Sequence, residues 1–198
     1  MALTRRDALK KLAAGGVAAA TTAFWGETLA AAAAQHASHY HQASAADVAW
    51  TPKVLSAAQN DTVVTLAEII IPQTETPGAT KAKVNQFIDA VLADATPDDR
   101  QKFLAGLVWL DGHAVAVEAD AAPFASLTPD RQLAIVTSLA AATSPGSALQ
   151  PGAEFFTAMK SLTVTGYYTS EIAMREEIGD DGNMVFAEFK GCTHPQHQ

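Results

Sequence analysis

The sequence has 198 residues, of which 48% are hydrophobic and 17% charged, as in a folded globular domain rather than a disordered chain. Its formal net charge of −8 argues against a protein that binds nucleic acid or anionic lipid through a basic surface. The single cysteine, Cys192, excludes an internal disulfide and the cysteine pair that attaches a c-type haem.

The first part of the chain, residues 1–34, has the layout of a secretory signal. Adjacent Arg5 and Arg6 precede Leu9 and Lys10, and a mildly apolar stretch and a run of alanines follow. Paired arginines in this setting are typical of twin-arginine signals, which direct the export of folded proteins. We therefore predict a signal peptide over this stretch and a periplasmic location. A plain amphipathic N-terminal helix is the alternative.

The remainder of the chain divides into a leader and one domain. Residues 35–55 are rich in His, Ala and Ser and show no hydrophobic periodicity, which predicts a flexible leader. Residues 56–198 carry apolar residues at helical spacing in several stretches and form, we predict, a single helical domain.

Local sequence signals predict where several helices of this domain begin. Ser56 and Gln59 have capping-box spacing, and Thr96 and Thr128 each precede a proline and an acid. No convincing alternation of strand residues appears, although 162–165 could be extended. The predicted fold class is all-α, an irregular bundle of five or six helices with long loops.

No cofactor motif is recognisable in the sequence. It contains no Gly-x-Gly-x-x-Gly, no phosphate-binding loop and no His-Glu-x-x-His. Glu68, Asp89 and Glu171 are scattered acids without the spacing of a general acid/base pair, so no catalytic residue is predicted. A signal for folded export on a chain without a cofactor suggests that the signal also serves a partner.

Three stretches carry a family resemblance. The first runs from Leu66 through Pro72 and Thr76–Ala79 to Asp89, the second is Phe155–Glu171, and the third is the tail Gly182–Cys192. Together they resemble the gluconate 2-dehydrogenase subunit 3 family, and the pair Tyr167-Tyr168 is the most specific part.

The resemblance implies a function that the residues alone do not show. Members of this family look like non-catalytic small subunits that bind, stabilise and co-export the FAD-containing subunit of a sugar or polyol dehydrogenase. The resemblance implies no cofactor in this chain, FAD in the partner, and haem c or another acceptor in a third, cytochrome c subunit. The further partner would be the twin-arginine translocase, and no nucleic acid is expected.

Five residues of these stretches are candidates for the partner interface: Tyr167, Tyr168, Glu171, Pro77 and Gly78. Tyrosine supplies a large contact area with a polar tip, which suits an interface anchor. The alternative is that the two tyrosines are core aromatics beside a helix cap.

Cys192 is a separate candidate. An odd cysteine in an exported protein suggests a disulfide to another chain, here an intersubunit disulfide with the large subunit. An idle, unpaired thiol is the alternative.

Two rival functions stay open at this stage. The chain could be an independent periplasmic helical protein, such as a chaperone. It could also bind a metal through its terminal histidines, although solvated tails explain these better. The histidines concerned are His36, His39, His41, His194 and His197.

Overall fold

The computed structural model describes Ala33 and residues 50–118, 122–142, 144 and 146–179, and across these ranges it contains helices and no strand. The helices are α1 (Ala57–Ile70), α2 (Val84–Asp94), α3 (Pro97–Val117), α4 (Pro129–Ala141), α5 (Gln150–Tyr168) and α6 (Glu171–Ala173), with a 3-10 turn over Phe124–Ser126 and a π-helical turn over Met174–Ile178. The predicted all-α bundle of five or six helices is confirmed. The predicted signal lies outside the described residues except for Ala33.

The predicted capping box starts α1. The backbone N–H of Gln59 donates to Ser56 Oγ at 3.3 Å, and the N–H of Ser56 donates to Gln59 Oε1 at 2.9 Å. This exchange satisfies two backbone donors that the first helical turn leaves unpaired. The buried face of α1 includes Val63, Leu66 and Ile70, as the sequence periodicity predicts.

Capping hydrogen bonds from Thr96 and Arg100 fix the corner between α2 and α3. Thr96 Oγ1 accepts the N–H of Asp99 at 3.2 Å and so begins α3. The Arg100 guanidinium then donates to Leu92 O and Ala93 O, each at 2.8 Å. These carbonyls lie in the last turn of α2 and have no helical N–H partner. The Arg100 guanidinium therefore caps α2 and holds α3 against it.

The start of α4 is confirmed at Pro129, with Thr128 at the N-cap, although the Thr128 side chain makes no capping hydrogen bond. Buried Gln132 instead links α4 to the preceding 3-10 turn. Its Nε2 donates to Phe124 O at 3.1 Å and to Ala125 O at 3.3 Å. The amide thus satisfies turn carbonyls that the packing of Phe124 withdraws from water.

Helix α5 is the centre of the bundle, since it packs against each of α1 to α4. The suggestion that 162–165 is extended is wrong, because these residues lie within α5. Two β-branched threonines and a valine lower local helix propensity there. Burial of Leu162 and Thr163 inside the bundle overrides that weak preference.

Three glycines let the helices approach α5 closely. A Cβ on Gly106 of α3 would overlap the ring of Phe155, and one on Gly152 would overlap the ring of Trp109. A Cβ on Gly166 would lie 2.6 Å from Phe87 Cδ1. Aromatic rings therefore occupy the space that side chains would fill at these positions.

The last residues of the predicted leader contact the bundle. Asp89, only 1% exposed, accepts the backbone N–H groups of Lys53, Val54 and Leu55 at 2.7, 3.0 and 3.0 Å. Leu55 is itself buried in the core. A buried carboxylate thus holds the chain before α1 begins, and the boundary at residue 55 stays a prediction.

Candidate functional site

Residues from the first two stretches that carry the family resemblance meet around the loop that follows α1, where Glu177 joins them. We call this the loop-anchoring cluster, and its members are Glu68, Pro77, Gly78, Tyr167 and Glu177. The loop and α5 are far apart in sequence, so only the tertiary fold brings the cluster together.

Glu68 holds both ends of the loop. Its Oε1 accepts the N–H of Gln73 at 2.8 Å and its Oε2 accepts the N–H of Thr80 at 2.9 Å. Gly78 is required between them, since an added Cβ would lie 2.6 Å from the backbone nitrogen of Gln73 and would overlap the Glu68 carboxylate. The shape of the loop thus depends on the Glu68 carboxylate and on the lack of a side chain at Gly78.

Tyr167 holds the middle of the loop through a hydrogen bond to Pro77. Its ring is fully buried, and its hydroxyl lies 2.7 Å from Pro77 O and 2.7 Å from Glu177 Oε2. The single hydroxyl hydrogen can be donated to one of these acceptors at a time. The Tyr168 hydroxyl donates to Glu177 Oε1 at 3.2 Å, so one carboxylate contacts both tyrosines. The cluster joins the loop, α5 and the turn after α6.

Ser170 sets the direction of the chain after α5. Its Oγ donates to Tyr167 O at 2.6 Å and accepts the N–H of Ala173 at 3.3 Å, which caps α6. Glu171 lies in the first turn of α6 and pairs with Arg175 at 2.9 Å. This turn places the Glu177 carboxylate within hydrogen-bond distance of the Tyr167 and Tyr168 hydroxyls.

Burial divides the five interface candidates into two groups. Tyr167, Pro77 and Gly78 are buried within the chain itself, and the Tyr167 ring packs in the core beside the cap of α6, as the alternative to an interface role describes. Tyr168 and Glu171 are only partly buried. A partner contact through these five residues stays a prediction.

The role of Asp89 does not follow from its place among the scattered acids of the sequence. It is the most buried acid in the described part of the chain. One signal was available: it lies directly beside Phe87 and Ile88 in the apolar stripe of α2. A charge at the edge of a buried stripe indicates a buried partner, which here is the backbone of Lys53–Leu55.

Lys160 is a partly buried cation on α5 with a shifted pKa. Burial on α5 lowers the pKa of its ammonium group, because desolvation disfavours the charged form. The residue belongs to the stretch Phe155–Glu171 that carries the resemblance.

The outward side of α3 is the second notable feature. We define the outer face of α3 as Ala105, Val108, Gly112, Val115 and Ala116, all of which are exposed. Val108 is 67% exposed and Val115 is 43% exposed. At the edge of this face the rings of Trp109 and His113 stack at 4.9 Å. The face is apolar and faces away from the core.

Other predicted sites lie outside the described residues. This is true of Cys192, of Arg5, Arg6, Leu9 and Lys10, and of the five terminal histidines. Among the residues described, no group of three or more His, Cys, Asp or Glu side chains could hold a metal ion. Within the same ranges, no helix combines the length and apolar character that a membrane span requires.

The fold and the cluster define a small, all-helical protein whose most specific residues stabilise its own loop. A family model described as gluconate 2-dehydrogenase subunit 3 matches residues 57–183. The chain belongs to this family, and it is therefore a subunit of a dehydrogenase complex. No curated protein and no solved structure matches the sequence.

Replacing Tyr167 with phenylalanine tests the cluster. We expect the free energy of unfolding to fall by about 1–3 kcal/mol, because buried Pro77 O and Glu177 lose their shared donor. Amide hydrogen exchange around Gln73 and Thr80 should become faster. The matched control is Tyr168→Phe, which removes one longer bond at a partly exposed site and should cost less than about 1 kcal/mol. Equal losses in the two variants would contradict the assignment.

Proposed function

We propose that this chain is the non-catalytic small subunit that binds, stabilises and co-exports the FAD-containing catalytic subunit of a periplasmic sugar or polyol dehydrogenase. The observation that carries the proposal is the family match over residues 57–183. It makes the chain one part of a multisubunit enzyme, and the twin-arginine pattern at Arg5 and Arg6 supplies a route for folded export.

The contacts of the conspicuous polar residues support an interaction role. Glu68 and Asp89 accept backbone N–H groups, and Tyr167 bonds to a backbone carbonyl of its own chain. A general base or nucleophile must be within reach of a substrate atom. These side chains are instead committed to the shape of this chain, and the chemistry is assigned to the partner.

The direct test is affinity purification of the tagged full chain from its native periplasm, with and without reductant. The proposal expects a larger flavoprotein to co-purify, with sugar or polyol dehydrogenase activity towards a dye acceptor. Release of that protein only under reduction would assign an intersubunit disulfide to Cys192. A stable, colourless protein that purifies alone would overturn the proposal in favour of an independent periplasmic protein.

Changing both Arg5 and Arg6 to lysine tests co-export. Lysine keeps the charge but not the paired guanidinium groups, so both this chain and the flavoprotein should accumulate in the cytoplasm. The measurement is the distribution of flavin-dependent dehydrogenase activity between periplasm and cytoplasm. The control is Lys11→Arg, which lies outside the pattern of Arg5, Arg6, Leu9 and Lys10, keeps the charge and should leave export intact. Normal periplasmic activity in the Arg5/Arg6 variant would contradict co-export by this signal.

A further inference from the structure

Helix α3 is unusual because both of its sides are apolar. Phe103, Leu107 and Leu110 are buried against the bundle, while Val108 and Val115 are exposed on the opposite side. A helix on the surface of a soluble domain normally turns a polar face to water, whereas a helix that is apolar all round is buried. The exposed side of α3 thus has the apolar composition of a helix face that is buried against another molecule.

Charge is missing from the same side. From Phe103 to Val117 the only charged residue is Asp111, which accepts the N–H of Phe124 at 3.0 Å. This is notable in a chain with a net charge of −8. Charged residues are depleted at the centre of protein interfaces, where desolvation of a charge is costly.

Gly112 gives an independent sign of a close neighbour. The other glycines inside long helices, Gly106, Gly152 and Gly166, each have a ring of this chain where a Cβ would lie. At Gly112 an added Cβ would meet nothing within 4 Å among the residues that the structure describes. Glycine inside a helix costs stability, and the chain's own packing does not explain it here. Close approach by another molecule would explain a glycine at this position.

We infer that the outer face of α3 is the docking surface for the large flavoprotein subunit, which contacts Val108, Gly112 and Val115. This inference rests on the proposed function and names the surface through which it acts. The stacked Trp109 and His113 lie beside this face, and the Trp109 ring also packs on Gly152 of α5.

The family match favours another subunit of the dehydrogenase complex as the occupant of this face, and the face by itself is too small to hold two copies of this chain together. From Ala105 to Ala116 the helix rises about 17 Å and is about 10–12 Å wide, so the face offers on the order of 200 Å². A stable interface buries about 800 Å² on each partner. Two copies meeting through this face alone fall well short of that area. A large subunit that also covers neighbouring surfaces reaches it.

The experiment uses the full tagged chain purified with its complex, and its probe is the amount of flavin that co-purifies per mole of small subunit. Val108→Glu and Gly112→Glu each place a carboxylate on the face. We expect each to lower co-purified flavin at least about tenfold, since burying an unpaired charge opposes docking. The matched control is Ala134→Glu, which adds the same charge at an exposed position of α4 and should retain flavin.

Thermal unfolding of the isolated variants excludes misfolding as the cause. Gly112→Glu should melt at or above the temperature of the wild type, because glutamate is a better helix former and has open space there. Loss of flavin with intact melting would support the surface. Full flavin retention by both face variants, with a flavin-loaded wild type, would overturn the surface but not the proposed function.

Two further outcomes separate the remaining occupants. A wild-type chain that purifies without flavin would overturn the proposed function and this surface with it. A homodimer that both face variants dissociate would assign the face to a second copy. Lower melting temperatures in both variants, without flavin loss, would assign it to residues 1–49 of the same chain.

Discussion

Replacing Asp89 with alanine is expected to lower the free energy of unfolding by about 3–5 kcal/mol, the largest effect of any single polar substitution in the described structure. The carboxylate accepts three backbone N–H groups, from Lys53, Val54 and Leu55, and is 1% exposed. Its removal leaves those donors without this partner, and the N–H of buried Leu55 has the least access to water. Urea denaturation of the full chain, followed by far-UV circular dichroism, measures the loss.

The control for this substitution is Asp89→Asn, which keeps the shape of the side chain. One amide oxygen can still accept N–H groups, whereas the amide NH₂ turns a donor towards another donor. We expect an intermediate loss. An alanine variant within about 1 kcal/mol of the wild type would show that Lys53–Leu55 is not fixed by this carboxylate, since even one unsatisfied buried donor costs that much.

Two glycines of α3 should respond to alanine in opposite directions. Gly106→Ala is expected to destabilise the chain by about 1–3 kcal/mol, because its Cβ would overlap the buried ring of Phe155 and force α3 and α5 apart. Gly112→Ala should stabilise the isolated chain by up to about 1 kcal/mol, because the Cβ meets open space and alanine favours the helix.

The pair is informative because both substitutions are chemically identical and lie in one helix. Intrinsic helix propensity alone would make both variants more stable by similar amounts. Opposite signs in denaturant midpoints therefore isolate the contribution of interhelical packing. If Gly106→Ala were as stable as Gly112→Ala, the close contact between Gly106 and the Phe155 ring would be wrong.

The candidate site was predictable only in part. Pro77, Gly78 and Tyr167 are interface candidates in the sequence, Glu68 is only one of its scattered acids, and no sequence signal points to Glu177. Whether a tyrosine anchors a partner or its own core depends on which atoms surround it. Tyr167 and Pro77 are joined by a hydrogen bond across 90 positions of sequence, and no local pattern encodes that pairing.

The outer face of α3 shows the opposite situation. The sequence 103–117 is visibly apolar, and helical spacing within it marks Phe103, Leu107 and Leu110, which the bundle buries. The residues between them were equally informative, since Val108, Gly112 and Val115 form a second uncharged side. Only the packing of α5 shows which of the two sides the bundle has already covered.

The sequence by itself determined the all-α class, the starts of α1, α3 and α4 and the buried stripe of α2, because caps and hydrophobic periodicity act over a few residues. The same local patterns, with the family match, determined the kind of protein. Only the tertiary structure decided that α5 is central, that Asp89 anchors Lys53–Leu55 and that Tyr167 is buried. These depend on contacts between residues distant in the chain, whose energies arise when the helices pack and exclude water.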